Sequence, residues 1–179
     1  MKLRIAAALA GLAVVLAACS TETAAAPTPS APMSAAADDG ARAKVPDQLQ
    51  FTAKTLDGGD FAGADLLGKP AVLWFWAPWC PNCQREAPMV GRSAAKNPDV
   101  TFVGVAAQDQ IPAMKQFVDK YSLDGFTQLA DTDASIWAKF GITHQPAYAF
   151  IRSDGSINVV KSGLSETELT QRVSSLSSR

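Results

Sequence analysis

The stretch that decides the fold covers residues 71–83 and reads Ala-Val-Leu-Trp-Phe-Trp-Ala-Pro-Trp-Cys-Pro-Asn-Cys. Its first six residues form an uninterrupted apolar run, which predicts a strand that is covered on both faces of its sheet. Cys80 and Cys83 follow, and a helix is predicted from the cysteines to about residue 96. The cysteine pair therefore follows a buried strand and opens a helix.

The Cys-x-x-Cys spacing predicts thiol–disulfide chemistry. At the start of a helix, free backbone N–H groups and the helix dipole favour negative charge, so Cys80 is expected to be exposed and to have thiolate character. Cys83 lies one turn further on and is expected to be more buried. In this scheme Cys80 forms a mixed disulfide with a substrate thiol, and Cys83 resolves it. Pro81 suits the first helical position, where a backbone N–H has no partner.

Two structural uses of the pair are weighed against this one. A structural zinc ion takes four protein ligands, whereas the folded part of the chain offers two cysteines and His144, the only histidine. A structural disulfide across two residues stabilises a fold little, because the loop that it closes is short. Redox chemistry is therefore preferred, and no metal site is expected.

The first residues predict an export signal. Lys2 and Arg4 precede an apolar segment, residues 5–18, which is shorter than a comfortable membrane span. The segment ends in Leu-Ala-Ala before Cys19, which resembles the bacterial lipobox. Residues 1–18 are accordingly interpreted as a lipoprotein signal peptide, with Cys19 lipidated after cleavage. A plain secretory signal with an incidental Cys19 is the alternative.

Lipidation of Cys19 also explains the odd number of cysteines. The chain has three, so a lipid on the first leaves only the Cys80–Cys83 pair. Residues 19–44 are rich in Ala, Pro, Ser and Thr without hydrophobic periodicity, and they are interpreted as a flexible tether. The folded domain is predicted to cover residues 45–179, on the oxidising, outer side of the cytoplasmic membrane.

Composition limits the partners. The 179 residues carry a formal net charge of −1, and 47% of them are apolar, which suits one compact domain. Lys and Arg do not collect into a cluster that neutralises a run of phosphates. No nucleic-acid partner is therefore expected.

The remaining pattern predicts an α/β fold. Predicted strands cover residues 49–56, a segment near 61, and residues 100–106, 128–130, 147–152 and 157–161. Predicted helices begin near Pro112, after an Asp133 N-cap, and at Ser165 with Glu168.

A family resemblance agrees with this pattern over residues 50–176. Residues 74–83, the following Glu-Ala-Pro at 86–88 and the upstream Leu-Gly-Lys-Pro at 67–70 resemble the extracytoplasmic thioredoxin-like proteins of the TlpA, ResA and DsbE type. Within that family, the secreted DsbE and DsbF proteins of actinobacteria are the most similar group. The resemblance implies a thioredoxin-like fold, in which helices flank a central mixed sheet. It also implies an N-terminal β-hairpin extension and an insertion typical of TlpA-like proteins.

The resemblance also implies roles for residues near the cysteines. Gln145 and Pro146 match the family's cis-proline loop, which packs on the active-site disulfide and pairs with a bound substrate strand. Trp79 is expected to shield Cys80 and to shape the docking surface, and Asn82 completes the Cys-x-x-Cys segment.

Two further side chains are candidates for tuning the cysteines. Glu86 lies three residues after Cys83, where TlpA-like proteins carry an acid that handles protons. Cytosolic thioredoxins instead have a buried acid at the position of Trp74. A solvated surface role is the alternative for Glu86. His144 lies two residues before Pro146, and an ordinary structural role is its alternative.

These observations predict a protein thiol–disulfide oxidoreductase without an organic cofactor, since the dithiol itself carries the electrons. Oxidation of reduced or misoxidised exported proteins is the preferred direction, with a membrane redox partner for recycling. Reduction of exported thiols, including those for cytochrome c maturation, is the alternative. From a different class, a copper chaperone holding Cu(I) on the two thiolates and His144 is also considered. A thiol peroxidase is disfavoured, because its Pro-x-x-x-Thr-x-x-Cys motif is missing.

Overall fold

The computed structural model describes residues 44–177. The predicted signal peptide, the tether apart from Lys44, and Cys19 lie outside the described residues and stay predictions. Within residues 44–177, none of the helices combines the length and apolar character that a bilayer crossing needs.

The described part contains seven strands and four α-helices. The strands are β1 (Thr52–Lys54), β2 (Asp60–Ala62), β3 (Ala71–Trp76), β4 (Thr101–Ala106), β5 (Thr127–Ala130), β6 (Ala147–Ile151) and β7 (Ile157–Val160). The helices are α1 (Pro81–Lys96), α2 (Ile111–Tyr121), α3 (Ser135–Lys139) and α4 (Glu166–Ser177). Two short 3₁₀ helices cover Asp47–Leu49 and Gly63–Leu66.

A five-stranded mixed sheet of order β5-β4-β3-β6-β7 forms the centre of the domain. β3 is its middle strand, parallel to β4 and antiparallel to β6. The β1–β2 hairpin is the expected N-terminal extension, and α2 with β5 forms the expected insertion between β4 and α3. The thioredoxin-like α/β prediction is therefore confirmed.

Both faces of β3 are covered, which explains its uninterrupted apolar sequence. Trp74 and Trp76 pack in the layer that contains α1, α2 and α4, and the rings of Trp76 and Phe117 stack with centroids 4.3 Å apart. Phe75 points to the opposite layer, where it meets Trp137 of α3 edge-on. Burial of such a side chain stabilises the fold by about 2 kcal/mol, so the strand that leads into the cysteines is firmly anchored.

The first predicted strand is shorter than expected. Residues 49–56 were expected to form one strand, but only Thr52–Lys54 does so. Leu49 instead ends a 3₁₀ turn, where its N–H donates to the carbonyl of Pro46 at 2.9 Å, and its side chain is fully buried. The prediction was wrong at this end because a buried apolar residue in a turn has the same local signature as one in a strand.

The predicted N-cap of α3 is also wrong. Ala134, with φ of +56°, immediately precedes the helix, and Asp133 accepts only the N–H of Ser135. The helix N-terminus is satisfied by Asp131, whose carboxylate accepts the N–H groups of Ile136 at 3.0 Å and Trp137 at 2.9 Å. Asp131 reaches them because β5 ends beside the helix start, a proximity that the tertiary fold creates.

We expect Asp131→Ala to lower the free energy of unfolding by about 2 kcal/mol, because it leaves buried backbone donors without an acceptor. Urea denaturation of the variant and the parent measures the loss. Asp133→Ala is the matched control, since that exposed carboxylate accepts a single N–H from α3. Equal losses for the two variants would contradict the assignment of the cap.

Candidate active site

The end of β3 and the start of α1 place the two cysteines. After Trp76 the chain turns, and the N–H of Cys80 donates to the carbonyl of Ala77 at 3.2 Å. Cys80 is the N-cap residue of α1, with extended backbone angles, and Pro81 follows in the first turn. The prediction that the pair opens a helix is confirmed.

The sulfur of Cys80 lies at the N-terminus of this helix. Cys80 Sγ accepts the backbone N–H of Cys83 at 3.1 Å, in the geometry of a capping side chain. Both residues are free thiols in the structure. Cys83 is fully buried and Cys80 is 3% exposed, so the expected order of exposure holds but the expectation of an exposed Cys80 is wrong. The cause is that the sulfur turns in toward the helix terminus to cap it.

Trp79 forms a rim beside the cysteines. It is 53% exposed, and its indole N–H donates to the carbonyl of Gln108 at 3.0 Å. Gln108 has φ of +61°, an uncommon angle for a residue with a side chain, and sequence patterns gave no signal for it. The shielding of Cys80 and the docking surface expected of Trp79 stay predictions, and its role toward substrates belongs to the proposal below.

Arg85 closes over the Pro-Asn segment between the cysteines. Its guanidinium donates to Asn82 Oδ1 and, at 3.4 Å, to the carbonyl of Pro81. Sequence reasoning missed Arg85, although its spacing of three from Asn82 places the two side chains on one helix face. Asn82 is therefore held by its own helix and stays at the surface.

Glu86 lies inside the domain, on the same face of α1 as Cys83. Its Oε2 accepts the hydroxyl of Tyr148 at 2.6 Å, and its Oε1 accepts the N–H of Leu164 at 3.2 Å. Only 8% of Glu86 is exposed, which overturns the alternative of a solvated surface acid. Sequence reasoning missed Tyr148. The one sign of its role in the sequence is that it places a hydroxyl group within the otherwise apolar strand β6.

Burial is the main influence on the pKa values of Glu86 and Cys83. It raises the pKa of Glu86, whereas the hydrogen bonds from Tyr148 and Leu164 and the proximity of the Trp74 indole lower it. Trp74 Nε1 is buried without a hydrogen bond of normal geometry in the described residues. Burial is likewise the main cause that raises the pKa of the Cys83 thiol, followed by Cys80, with a smaller contribution from the Glu86 charge. Two neighbouring acids of α1 therefore both favour their protonated forms.

The Gln145–Pro146 peptide bond is cis, as the resemblance implied. His144 does not join the cysteines in a hydrogen-bonded group. Its Nε2 pairs with the carbonyl of Lys161 at 3.0 Å, and its Nδ1 pairs with Thr143 Oγ1 at 3.2 Å. Across residues 44–177, no three His, Cys, Asp or Glu side chains are arranged to hold a metal ion. This geometry gives the copper-chaperone alternative no support.

A model of the AhpC/TSA family matches residues 41–160. The chain belongs to the AhpC/TSA family. Among curated relatives, the soluble secreted antigen MPT53 of Mycobacterium tuberculosis is 51% identical over 135 residues, which cover 74% of this chain and 78% of the relative.

Two solved structures of the family have the same fold. The structure of MTB dsbF in its mixed oxidized and reduced forms is 65% identical, with a TM-score of 0.74 over 74% of this chain and 99% of the other. A secreted Mycobacterium tuberculosis disulfide oxidoreductase homologous to E. coli DsbE is 52% identical, with a TM-score of 0.69 over 72% and 98%. This chain is therefore a thiol–disulfide oxidoreductase of the DsbE, DsbF and ResA type, and its substrates are thiol-containing proteins.

We expect the stability of the protein to depend on pH through Glu86. Because its folded-state pKa is raised, the folded state holds the proton more tightly, and stability falls as pH rises above the unfolded value. Glu86→Gln removes that ionisation, so the stability of the variant relative to the parent should increase as pH rises above the unfolded pKa of Glu, about 4.3.

Urea denaturation at several pH values measures this difference. Glu166→Gln, at an exposed position of α4, is the control for the loss of one acid. A difference between Glu86→Gln and the parent that stays constant over pH would contradict the expected behaviour.

Proposed function

We propose that the chain is an exported, lipid-anchored enzyme that forms disulfides in other exported proteins through Cys80 and Cys83. The observation that carries the proposal is the hydrogen bond from the Cys83 N–H to Cys80 Sγ at the N-terminus of α1. The positive end of α1 and a direct N–H donor both favour negative charge at this position. Stabilising the reduced enzyme makes its disulfide the stronger oxidant.

The reaction assigns the attacked sulfur to Cys80, which is 3% exposed, whereas Cys83 is fully buried. A substrate thiolate attacks Cys80 Sγ of the disulfide, the Cys80–Cys83 bond breaks, and Cys83 leaves with the electron pair and takes up a proton. A second substrate thiolate then attacks the substrate sulfur of the mixed disulfide and releases Cys80 as a thiolate. Two electrons pass from the substrate dithiol to the enzyme dithiol, and a new disulfide remains in the substrate.

Glu86 is suited to supply the proton that Cys83 needs. The carboxyl group is buried one turn along α1 from Cys83, and burial raises its pKa, so it is protonated over a wider pH range than a surface acid. A raised pKa of the Cys83 thiol favours acceptance of that proton. The same groups exchange the proton in the reverse direction when the pair is reoxidised.

The rim beside Cys80 is suited to bind an extended substrate segment. Trp79 offers a half-exposed indole anchored on Gln108, and the cis Gln145–Pro146 segment precedes β6. We assign substrate docking to Trp79, Gln145 and Pro146, and leave His144 outside the site because both of its ring nitrogens are engaged elsewhere.

Recycling is proposed to use a second thiol–disulfide pair on a membrane protein. Exchange with that partner removes two electrons and restores the Cys80–Cys83 disulfide, so no organic cofactor takes part. A lipid on Cys19 and the tether of residues 19–44 would keep the domain near the outer face of the cytoplasmic membrane. The comparison with proteins described as secreted supports export.

The direction of the reaction is tested by oxidation of a reduced, unfolded protein with the full chain, with glutathione disulfide as the recycling oxidant. The wild type is expected to accelerate disulfide formation, and Cys80→Ser is expected to return the rate to the uncatalysed one. Cys83→Ser should accumulate a mixed disulfide of Cys80 with glutathione, because Cys83 is missing and cannot displace the glutathione to close the Cys80–Cys83 disulfide. Reduction of insulin by the same preparation tests the reductase alternative, and faster reduction than oxidation in one redox buffer contradicts the proposal.

The anchor is tested separately in cells by fractionation. The wild type is expected in the membrane fraction, and Cys19→Ser is expected to be absent from it. A conservative replacement in the tether, Ser20→Ala, is the control because it preserves the cysteine. A Cys19→Ser protein that stays bound to membranes as well as the parent would overturn lipid attachment.

A further inference from the structure

Gly163 lies against the carboxylate of Glu86. A Cβ atom built on Gly163 would stand 2.2 Å from Glu86 Oε1 and 3.4 Å from Pro146 Cγ. The first distance is shorter than real Cβ atoms show, so a side chain at position 163 would force the Glu86 carboxylate to move. A side chain at position 163 would therefore meet both the buried acid and the cis-proline loop.

The residue after Gly163 holds the same carboxylate oxygen. The Leu164 N–H donates to Glu86 Oε1 at 3.2 Å, and Tyr148 donates to Oε2 at 2.6 Å. Each oxygen thus has its own donor, one from the chain after β7 and one from β6. Leu164 is 8% exposed, so this hydrogen bond lies in a buried part of the domain.

We infer that Gly163 is a positioning residue for the thiol–disulfide reaction, because its missing side chain lets the Leu164 N–H and the Tyr148 hydroxyl hold Glu86 beside Cys83. The segment after β7 then forms a packed link between the proton-carrying acid and Pro146. The inference rests on the proposed proton transfer by Glu86. It adds that Gly163 determines the position of the Glu86 carboxylate.

The test is Gly163→Ala in the full chain. The added methyl group is expected to displace the Glu86 carboxylate and to break its hydrogen bond with the Leu164 N–H. Hydrogen exchange at the Leu164 amide should then become about tenfold faster, the effect of losing one hydrogen bond. The pH profile of mixed-disulfide resolution by Cys83 should shift to lower pH, because a displaced Glu86 is better solvated and its charge lies further from Cys83.

Gly125→Ala is the matched control. Nothing lies within 4 Å of a Cβ built on Gly125, so this variant is expected to keep both the exchange rate and the pH profile of the parent. Gly163→Ala is also placed in the Glu86→Gln background. The shift in the pH profile should vanish there, since no titrating carboxylate remains, whereas a merely structural effect would persist.

The Leu164 amide resonance of the wild type gives a test that needs no Gly163 variant. Because this amide donates to Glu86, its chemical shift should follow the titration of Glu86 and lose that inflection in Glu86→Gln. Three results would each overturn the inference. These are a Leu164 amide chemical shift that does not follow the titration of Glu86, a Gly163→Ala variant whose pH profile is unshifted, and a Gly163→Ala variant that shifts the profile equally in the Glu86→Gln background. If Glu86→Gln itself leaves the profile unchanged, the proposed proton transfer fails as well.

Discussion

The rest of the site depends on one hydrogen bond, from the Cys83 N–H to Cys80 Sγ. It makes a sulfur the cap of α1, so the reactive atom sits where the unpaired N–H groups of the helix favour negative charge. β3 is buried on both faces and leads directly into the turn that holds Cys80, so the strand anchors the segment that carries this sulfur. A looser strand would leave the sulfur free to turn away from the helix, and the chemical difference between the two cysteines would be smaller.

The second constraint is the burial of two acids on one face of α1. Burial favours the protonated forms of both Cys83 and Glu86, while the Tyr148 and Leu164 donors favour the carboxylate. Burial and these hydrogen bonds therefore act in opposite directions on the charge of Glu86, which suits the proposed proton transfer to Cys83.

Local features were predictable and long-range ones were not. Residues 71–76, the helix start at the cysteines and the Ser165–Glu168 capping box follow from neighbours in sequence, and the structure has them where the pattern predicts. Glu86 and the cis Gln145–Pro146 bond required a family resemblance. Tyr148 and Leu164 meet Glu86 across 62 and 78 residues of chain, and the Asp131 cap of α3 arises where β5 ends, so only the folded arrangement reveals them.

The central claim is that the site stabilises the reduced enzyme and therefore donates its disulfide. The most direct measurement is the reduction potential of the Cys80–Cys83 couple in the wild-type chain, equilibrated with glutathione buffers. We predict a potential above about −200 mV, toward the oxidising end of the range for thioredoxin-fold proteins. A potential near that of thioredoxin, about −270 mV, would contradict the account and indicate a reductase supplied with electrons from the membrane.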